Sequence, residues 1–315
     1  HLFLNNKNYF KILTCSNYSM TNSFLNVGKL GILGGSGLYN IKIDNVSEVD
    51  IDTPYGKPSD SFRTGSINGM EVVFLARHGR HHNYLPTEVP YQANIWAMKY
   101  LGVEWIISAS AVGSLKEDIR PLDMVIPDQF IDRTHNRPIS FFGEGVVAHV
   151  SMAEPFCKEL SELLKSSAAV VMPDELKLHY GGTYLCMEGP AFSTKAESNF
   201  YRSLNCSVIG MTNHTEARLA KEAEIAYASL SMSTDYDCWH EDHENVTVEM
   251  IVSNLKSNAK LAEKIIFEVA KNIKREKPSS TSHSALKYAL LTDKNNVPNI
   301  TLDKINLLTK KYWEN

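Results

Sequence analysis

From Gly28 onward, short apolar runs alternate along the chain with longer stretches of helical periodicity. The short runs are bounded by Gly, Pro or polar residues, as buried strands are, while stretches such as Tyr91–Leu101 and Pro155–Leu164 are typical of helices. Strands are predicted at Leu30–Leu33, Glu71–Ala76, Trp105–Ala109, Met124–Ile126, Ser207–Met211 and Ile225–Met232. This alternation predicts an α/β fold in a single domain, with a central mixed β-sheet flanked by helices on both faces.

A long helix is predicted from about Val246 to Lys277, where Pro278 would end it. Its apolar stripe repeats at spacings of three and four and consists of Val248, Ile251, Leu255, Ala259, Ala262, Ile266, Val269 and Ile273. Beyond it the chain is rich in Ser and Thr, and we expect residues 279–315 to be poorly defined. The first Met is Met20, so residues 1–19 are predicted to be an N-terminal extension and residues 20–277 the functional domain.

Composition and charge narrow the functional classes. Hydrophobic residues make up 43% of the 315 residues, which excludes a disordered chain. The net charge of −4 argues against nucleic acid as the main partner. No stretch approaches about 18 consecutive apolar residues, so no membrane span is predicted. The five cysteines are scattered and odd in number, which favours reduced thiols and a cytoplasmic location, with the nucleus left open.

Three segments at predicted strand ends could bind an anion, because ligands of open α/β sheets bind at the carboxyl ends of the strands. Gly34–Gly37 and Ser108–Ser114 combine small residues with hydroxyl groups, although each could instead be a tight turn. Arg77 and His78 offer a guanidinium and an imidazole to a phosphate. A solvated basic loop is the alternative there, and a metal site is disfavoured because no further ligand group has recognisable spacing.

Three further segments could contact an organic ligand. Phe192 follows a Gly-Pro turn and could stack on a planar base, although a core aromatic residue is the alternative. Met211 and Thr212 end another predicted strand, where core and turn residues are also common. Asp235 and Asp237 alternate at a strand end, so both side chains could contact one ligand. Paired Asp residues often bind a metal ion or act in acid–base catalysis, and a solvated acidic turn is the alternative.

Eight segments occur in a fixed order along the chain. They are residues 31–38 (GILGGSGL), 52–60 (DTPYGKPSD), 75–80 (LARHGR), 91–97 (YQANIWA), 128–134 (DQFIDRT), 152–157 (MAEPFC), 188–193 (EGPAFS) and 233–239 (STDYDCW). Together they resemble the 5′-methylthioadenosine phosphorylases, a family within the trimeric purine nucleoside phosphorylases. The resemblance runs from about Gly28 to Ile273 with few gaps.

The resemblance implies phosphorolysis: phosphate attacks the anomeric carbon of methylthioadenosine, adenine leaves, and 5-methylthioribose 1-phosphate forms. It implies neither a metal nor an organic cofactor, with inorganic phosphate as co-substrate. The positions that match the family's phosphate ligands are Ser36, Arg77, His78, Ser110, the Ala111 backbone and Thr212. The positions that match its nucleoside ligands are Met211, Phe192, Asp235, Tyr236 and Asp237, with Asp235 as the catalytic proton donor.

Specificity follows from the same resemblance. Relatives that prefer 6-oxopurines carry Asn at Asp235 and Glu at Ser193, so this chain is predicted to take adenine nucleosides, whose 6-amino group suits carboxylates. Val248, Ile251 and Val252 would line the pocket for the 5′-substituent, and residues 278–315 would partly cover the site. His149 matches a position lent by a neighbouring subunit, which implies a homotrimer. The alternatives are a related phosphorylase of broader or 6-oxopurine specificity, a hydrolase, and an inactive nucleoside-binding protein.

The chain departs from the family at three positions near the phosphate ligands. Thr215 stands where the family has Pro, which leaves the geometry of the turn after Met211 open. Ser36 and Ser110 replace the Thr of many members. Each keeps the hydroxyl and loses a methyl group, which predicts a looser hold on phosphate.

Overall fold

A computed structural model of the chain describes residues 28–35, 37–240 and 248–313, without the side chains of Val248, Met250 and Ile251. The predicted extension 1–19 and Ser36 lie outside the described residues. The strands are β1 (Lys29–Gly34), β2 (Asp44–Val49), β3 (Phe62–Ile67), β4 (Met70–Ala76), β5 (Val103–Ser114), β6 (Met124–Ile126), β7 (Gln129–Arg133), β8 (Leu178–Tyr180), β9 (Thr183–Met187), β10 (Cys206–Gly210) and β11 (Ala226–Asp235). The helices are α1 (Tyr91–Tyr100), α2 (Lys158–Val171), α3 (Lys195–Ser203), α4 (Asn213–Glu222), α5 (Val248–Glu276) and α6 (Asn299–Trp313), with short 3₁₀ turns at Thr281–Ser284 and Lys294–Asn296.

The strands of the described residues form one mixed sheet, which confirms the predicted fold class. Its main path runs β2-β3-β4-β1-β5-β10-β9-β7, while β11 pairs with β5 and β6, and β6 also pairs with β8. In the centre, β1 is parallel to β4 and β5, and β5 is parallel to β11. The carboxyl ends of these four strands therefore lie at one edge, where ligands of such sheets bind.

Helices cover both faces of the sheet, so the central strands are apolar on both sides. On one face, α2 and α5 pack against residues such as Leu30 and Ile32 of β1. On the other, α1 and α4 pack against Leu33 of β1 and Ile106 of β5. Burial of each such side chain contributes roughly 1.5–3 kcal/mol. The two apolar layers hold the strand ends in fixed positions.

The long C-terminal helix follows its predicted stripe. α5 ends at Glu276, two residues before Pro278. Six stripe residues are buried in the core: Leu255, Ala259, Ala262, Ile266, Val269 and Ile273. The side chains of the other two, Val248 and Ile251, lie outside the described residues.

The segment after α5 has defined structure as far as Trp313, which corrects the expectation for residues 279–315. Leu286 and Leu308 are buried in the core on the α1 and α4 face. Buried Glu224 anchors the segment, because its Oε1 accepts hydrogen bonds from the Leu286 amide, at 2.9 Å, and from the Tyr312 hydroxyl. Widely spaced apolar residues and one buried carboxylate thus order a segment whose sequence is largely polar.

The sheet carries a polar stripe beneath α4. The register places Ser108 of β5 opposite Ser229 of β11, and both side chains are fully buried. Buried hydroxyl groups need polar partners, and α4 supplies them. Asn213 Nδ2 donates to Ser229 Oγ, while Ser108 Oγ donates to Glu216 Oε2 at 2.7 Å. The first turn of α4 is thereby fixed against two strands.

Candidate active site

A pocket of about 430 Å³ opens where β1, β4, β10 and β11 end, beside the second half of β5. Nine of the residues predicted from sequence line it: Arg77, His78, Ser110, Ala111, Phe192, Met211, Thr212, Asp235 and Asp237. Other lining residues, among them Tyr184 and Met187, were not singled out from sequence. The pocket has a cationic end at Arg77 and a carboxyl-bearing end at Asp235.

Arg77 follows β4 directly and is only 1% exposed. Its Nε and Nη2 atoms donate to the two oxygens of the Glu216 carboxylate, and Nη2 also donates to Ser108 Oγ at 2.6 Å. Burial alone would lower the pKa of the guanidinium, but the charge and hydrogen bonds of Glu216 outweigh burial and raise that pKa well above its ordinary value. Arg77 therefore carries a fixed positive charge at the pocket.

His78 is present as a neutral imidazole. Its Nδ1 lies 2.9 Å from the Tyr84 carbonyl oxygen. Because a carbonyl can only accept, Nδ1 carries the proton and Nε2 is the acceptor. Burial and the charge of Arg77 lower the pKa of His78 to about 4. Such an imidazole can accept the remaining O–H of monohydrogen phosphate.

The turn after β1 requires glycine at residue 35. The Gly35 amide donates to the Ala109 carbonyl at 3.0 Å. A Cβ at this position would lie 2.9 Å from Arg77 Nη1 and 3.1 Å from the Ala109 oxygen, so a side chain would displace the guanidinium. Ser36 follows outside the described residues, and its role as a phosphate ligand stays a prediction.

Ser110, Ala111 and Thr212 complete the cationic end of the pocket. Thr212 immediately precedes α4, and its side chain makes no capping hydrogen bond to that helix. The free amide groups of a helix N-terminus and the helix dipole favour bound anions. Arg77, the start of α4 and two hydroxyl groups therefore provide an environment suited to phosphate.

The start of α4 forms without the proline of the related family. Thr215 lies within the first turn of the helix, and the adjacent His214 is fully buried. The His214 ring packs edge-on against Phe130 with centroids 4.9 Å apart, and its Nε2 lies 3.2 Å from Asp132 Oδ2. Burial lowers the pKa of His214 to about 4 in spite of the Asp132 charge, so the imidazole is neutral. With Thr215 in the first turn of α4, Thr212 still lines the pocket.

The other end of the pocket carries two carboxyl groups. Asp235 is 5% exposed; its Oδ2 accepts from Thr234 Oγ1 at 2.6 Å and its Oδ1 from the Asp237 amide at 2.8 Å. Burial raises the pKa of Asp235 and outweighs these two hydrogen bonds, which lower it. Burial likewise raises the pKa of Asp237. Its Oδ2 is buried and has no hydrogen-bond partner among the described residues. These groups are suited to proton donation and to binding a ligand rich in donors.

Tyr236 lies between the two aspartates in sequence but does not line the pocket. Its hydroxyl donates to the Glu117 carbonyl at 3.3 Å, and its ring packs edge-on against Trp239 with centroids 5.8 Å apart. Neighbouring side chains along an extended strand point to opposite sides. The structure therefore does not bring Tyr236 together with the other predicted substrate ligands.

Phe192 and Ser193 lie on the wall near Asp237. Phe192 lines the pocket and is 54% exposed, which leaves its ring accessible for stacking on a base. Ser193 does not line the pocket, but its hydroxyl, with that of Ser198, lowers the pKa of Asp237 and so partly offsets the effect of burial. Ser193 therefore influences the pKa of the Asp237 carboxyl without itself lining the pocket.

Val252, one of the residues predicted to surround a 5′-substituent, does not line this pocket. Val252 is 42% exposed, and the side chains of Val248 and Ile251 lie outside the described residues. Exposed His149 lines a separate cavity of about 260 Å³, and its amide donates to the Ala289 carbonyl at 2.9 Å. Among the described residues that follow Asp237, none lines the main pocket, so within one chain the C-terminal segment does not cover it.

Arg137 and Glu188 support the pocket wall and were missed as a pair. The Arg137 guanidinium donates to the carbonyl oxygens of Met211 and, at 2.8 Å, of Glu188. Burial raises the pKa of the Glu188 carboxyl, but hydrogen bonds from Thr87 and His135 and the charge of Arg137 hold it at about 2. The pair ties Met211 to the Gly189–Pro190 turn. Because the two residues are 51 positions apart, no local sequence pattern indicated that they would pair.

Three further features bear on the predictions from composition. Within the described parts of the chain, no three His, Cys, Asp or Glu side chains are grouped so that they could hold a metal ion. No helix in those parts is long and apolar enough to span a bilayer. The cysteines in the described ranges, Cys157, Cys186, Cys206 and Cys238, are free thiols, as predicted.

Comparison with known proteins gives consistent results. The sequence profile of the Phosphorylase superfamily matches residues 29–271. An S-methyl-5'-thioadenosine phosphorylase of Prochlorococcus marinus is 64% identical over 286 residues, which cover 90% of this chain and 91% of that protein. One of Thermosynechococcus vestitus is 56% identical over 285 residues, covering 90% of this chain and 99% of that protein.

Solved structures agree with the sequence comparison. A methylthioadenosine phosphorylase from an antarctic soil metagenomic library has a TM-score of 0.86 and 47% identity, covering 90% of this chain and 99% of that chain. Methylthioadenosine phosphorylase from Schistosoma mansoni in complex with adenine has a TM-score of 0.74 and 34% identity, covering 79% of this chain and 92% of that chain. The chain therefore belongs to the phosphorylase superfamily and, within it, to the S-methyl-5'-thioadenosine phosphorylases.

Proposed function

We propose that this protein catalyses the phosphorolysis of S-methyl-5'-thioadenosine to adenine and 5-methylthioribose 1-phosphate. One observation carries the proposal: a single pocket has the buried Arg77 cation at one end and the carboxyl groups of buried Asp235 and half-buried Asp237 at the other. A cation with helix amides suits phosphate, and carboxyl groups suit a purine with hydrogen-bond donors. The names of relatives such as the Prochlorococcus marinus protein, which is 64% identical, support the same reaction.

In this reaction a phosphate oxygen attacks C1′ of the sugar while the C1′–N9 bond breaks, and the bonding electron pair passes to the purine. The sugar develops oxocarbenium character, as in glycoside cleavage. Phosphate held by Arg77 and the start of α4 places negative charge beside that developing cation. Asp235 donates a proton to N7, so that adenine leaves as a neutral molecule. Positioning and electrostatics supply the rate enhancement, with no covalent intermediate on the protein.

The two carboxyl groups also select the base. Asp237 Oδ2 is a buried acceptor without a partner among the described residues, and the adenine 6-amino group would supply its donor. A 6-oxo group would place its acceptor oxygen against the Asp237 carboxylate oxygen and leave both without a donor. The site should therefore discriminate strongly against 6-oxopurine nucleosides. The reaction needs no metal or organic cofactor on this proposal, because every charge it develops is met by phosphate or by a protein side chain.

We further propose a homotrimer in which each subunit covers a neighbour's pocket with His149 and the C-terminal segment. These two parts lie together, since the amide of Leu291 donates to Val147 and that of His149 to Ala289, both at 2.9 Å. Beside them, Leu291 is 66% exposed, an apolar side chain suited to an interface.

Light scattering is expected to give three times the chain mass of 35.4 kDa. His149→Ala should raise the KM for methylthioadenosine, because the proposed arrangement brings this side chain to a neighbour's pocket. A fully active monomer would contradict the arrangement.

The proposed activity is tested by adenine release from methylthioadenosine, adenosine and inosine, each with and without phosphate, in the presence of a chelator. Adenine release is expected to require phosphate, to survive the chelator, and to be fastest with methylthioadenosine. Release without phosphate would identify a hydrolase. A preference for inosine would identify a 6-oxopurine phosphorylase, and binding without turnover an inactive protein.

A further inference from the structure

Glu216 lies in the first turn of α4 directly behind the phosphate end of the pocket. It is 2% exposed and does not line the pocket, so it cannot itself contact substrate in this conformation. Its carboxylate contacts the Arg77 guanidinium, 139 positions away in sequence. Neither the resemblance nor the motif spacing assigns it a role.

The Glu216 carboxylate fixes the orientation of the guanidinium. Arg77 Nε and Nη2 donate to its two oxygens, and Nη2 also contacts Ser108 Oγ at 2.6 Å and the Leu33 carbonyl at 3.4 Å. Nη1 remains on the side of Gly35, which lines the pocket, and its contact with the Ala109 carbonyl is long, at 3.4 Å. A planar guanidinium held along one edge can present only its opposite nitrogen.

The carboxylate is in turn held by both central strands. Glu216 Oε2 accepts from Ser108 Oγ of β5 and from the Tyr227 hydroxyl of β11, each at 2.7 Å. Ser108 and Tyr227 are 0% and 2% exposed. A buried carboxylate with these donors and one cation has its hydrogen-bonding capacity well used, so it has little freedom to move. Through Glu216, the two strands therefore restrain the position of the Arg77 guanidinium.

We propose that Glu216 is a positioning residue for the phosphate co-substrate, which holds Arg77 so that Nη1 faces the pocket. This inference rests on the proposed function, because it needs phosphate as the ligand at that end. Two roles of the Arg77–Glu216 ion pair can be distinguished by their opposite effects on phosphate binding. If Glu216 merely offset the charge of Arg77, its removal would strengthen phosphate binding; if it positions Arg77, its removal weakens binding.

The test is the Glu216→Gln variant, which keeps the shape and removes the charge. The KM for phosphate is expected to rise by about 10-fold, as for loss of one well-placed charged hydrogen bond, while the KM for methylthioadenosine changes little. Asp123→Asn is the matched control. Asp123 is also a fully buried carboxylate, held by the amides of Arg120 and Lys177 at 3.0 and 2.9 Å, and it does not line the pocket.

The outcomes separate the two proposals. If the unmodified enzyme releases adenine without phosphate, the proposed function fails. If it requires phosphate, an unchanged or lower phosphate KM in Glu216→Gln overturns the positioning role, as does an equal rise in Asp123→Asn. If Glu216→Gln does not fold, Tyr227→Phe removes one donor to the carboxylate and keeps the ion pair. It should then raise the phosphate KM in the same direction by a smaller factor, and no rise would overturn the inference.

Discussion

Replacement of Asp235 by alanine is expected to lower kcat for methylthioadenosine by about 10²- to 10⁴-fold, the usual contribution of a general acid. Adenine must leave with a proton on N7, and Asp235 is the buried carboxyl group whose pKa is raised at that end of the pocket. The interaction forms mainly in the transition state, so kcat should fall more than the KM rises. Steady-state kinetics at saturating phosphate measure both. An unchanged kcat would remove Asp235 from the catalytic step.

The pH dependence of the same step gives an independent test. Because burial raises the pKa of Asp235, its protonated form persists to higher pH than for an exposed Asp. Activity that depends on this proton is therefore retained below the raised pKa and falls as the pH increases through it. Asp235→Asn cannot supply a proton but still presents an N–H, so it should lose this limb of the profile and accept 6-oxopurine nucleosides relatively better. A limb that persists in Asp235→Asn would belong to another group.

The strand ends of the site could be predicted from sequence because each one couples a local apolar run to a local polar group. Arg77 after β4, Ser110 in β5 and Asp235 at the end of β11 all line one pocket. Parallel strands that share an edge bring such groups together whatever their distance along the chain. Tyr236 was also predicted at this strand end but does not line the pocket. It is one residue out of phase with Asp235 and Asp237, so its side chain points the other way and contacts Glu117.

The supporting residues could not be predicted because their partners are remote in sequence and they do not contact substrate. Glu216 occurs as an ordinary charged residue on an amphipathic helix, yet it is buried against Arg77. Peripheral strands such as β2 were missed for the opposite reason. Five of its six residues are exposed, so it has no apolar run to detect. Burial of charge and pairing of polar edges are decided by tertiary contacts.

Replacement of Arg77 by alanine is expected to raise the KM for phosphate by roughly 10- to 150-fold, the value of one to two charged hydrogen bonds. The structure adds a second effect. Arg77 and Glu216 are 1% and 2% exposed, so the variant leaves a buried carboxylate without its cation. Breaking a buried pair in this way costs about 3–5 kcal/mol of folding stability. Phosphate titrations and denaturant unfolding of the same preparation measure the two effects.

A double variant separates phosphate binding from stability. Arg77→Met combined with Glu216→Gln removes both charges at similar volume, and the hydroxyls of Ser108 and Tyr227 can still donate to the residue 216 side chain. Because neutral replacement of a buried ion pair is often without cost, most of the lost stability should return. The phosphate KM should stay high, since no guanidinium remains at the pocket. Recovery of a normal phosphate KM together with stability would show that Arg77 serves the fold alone, and that phosphate is bound by the start of α4 and its neighbouring hydroxyls.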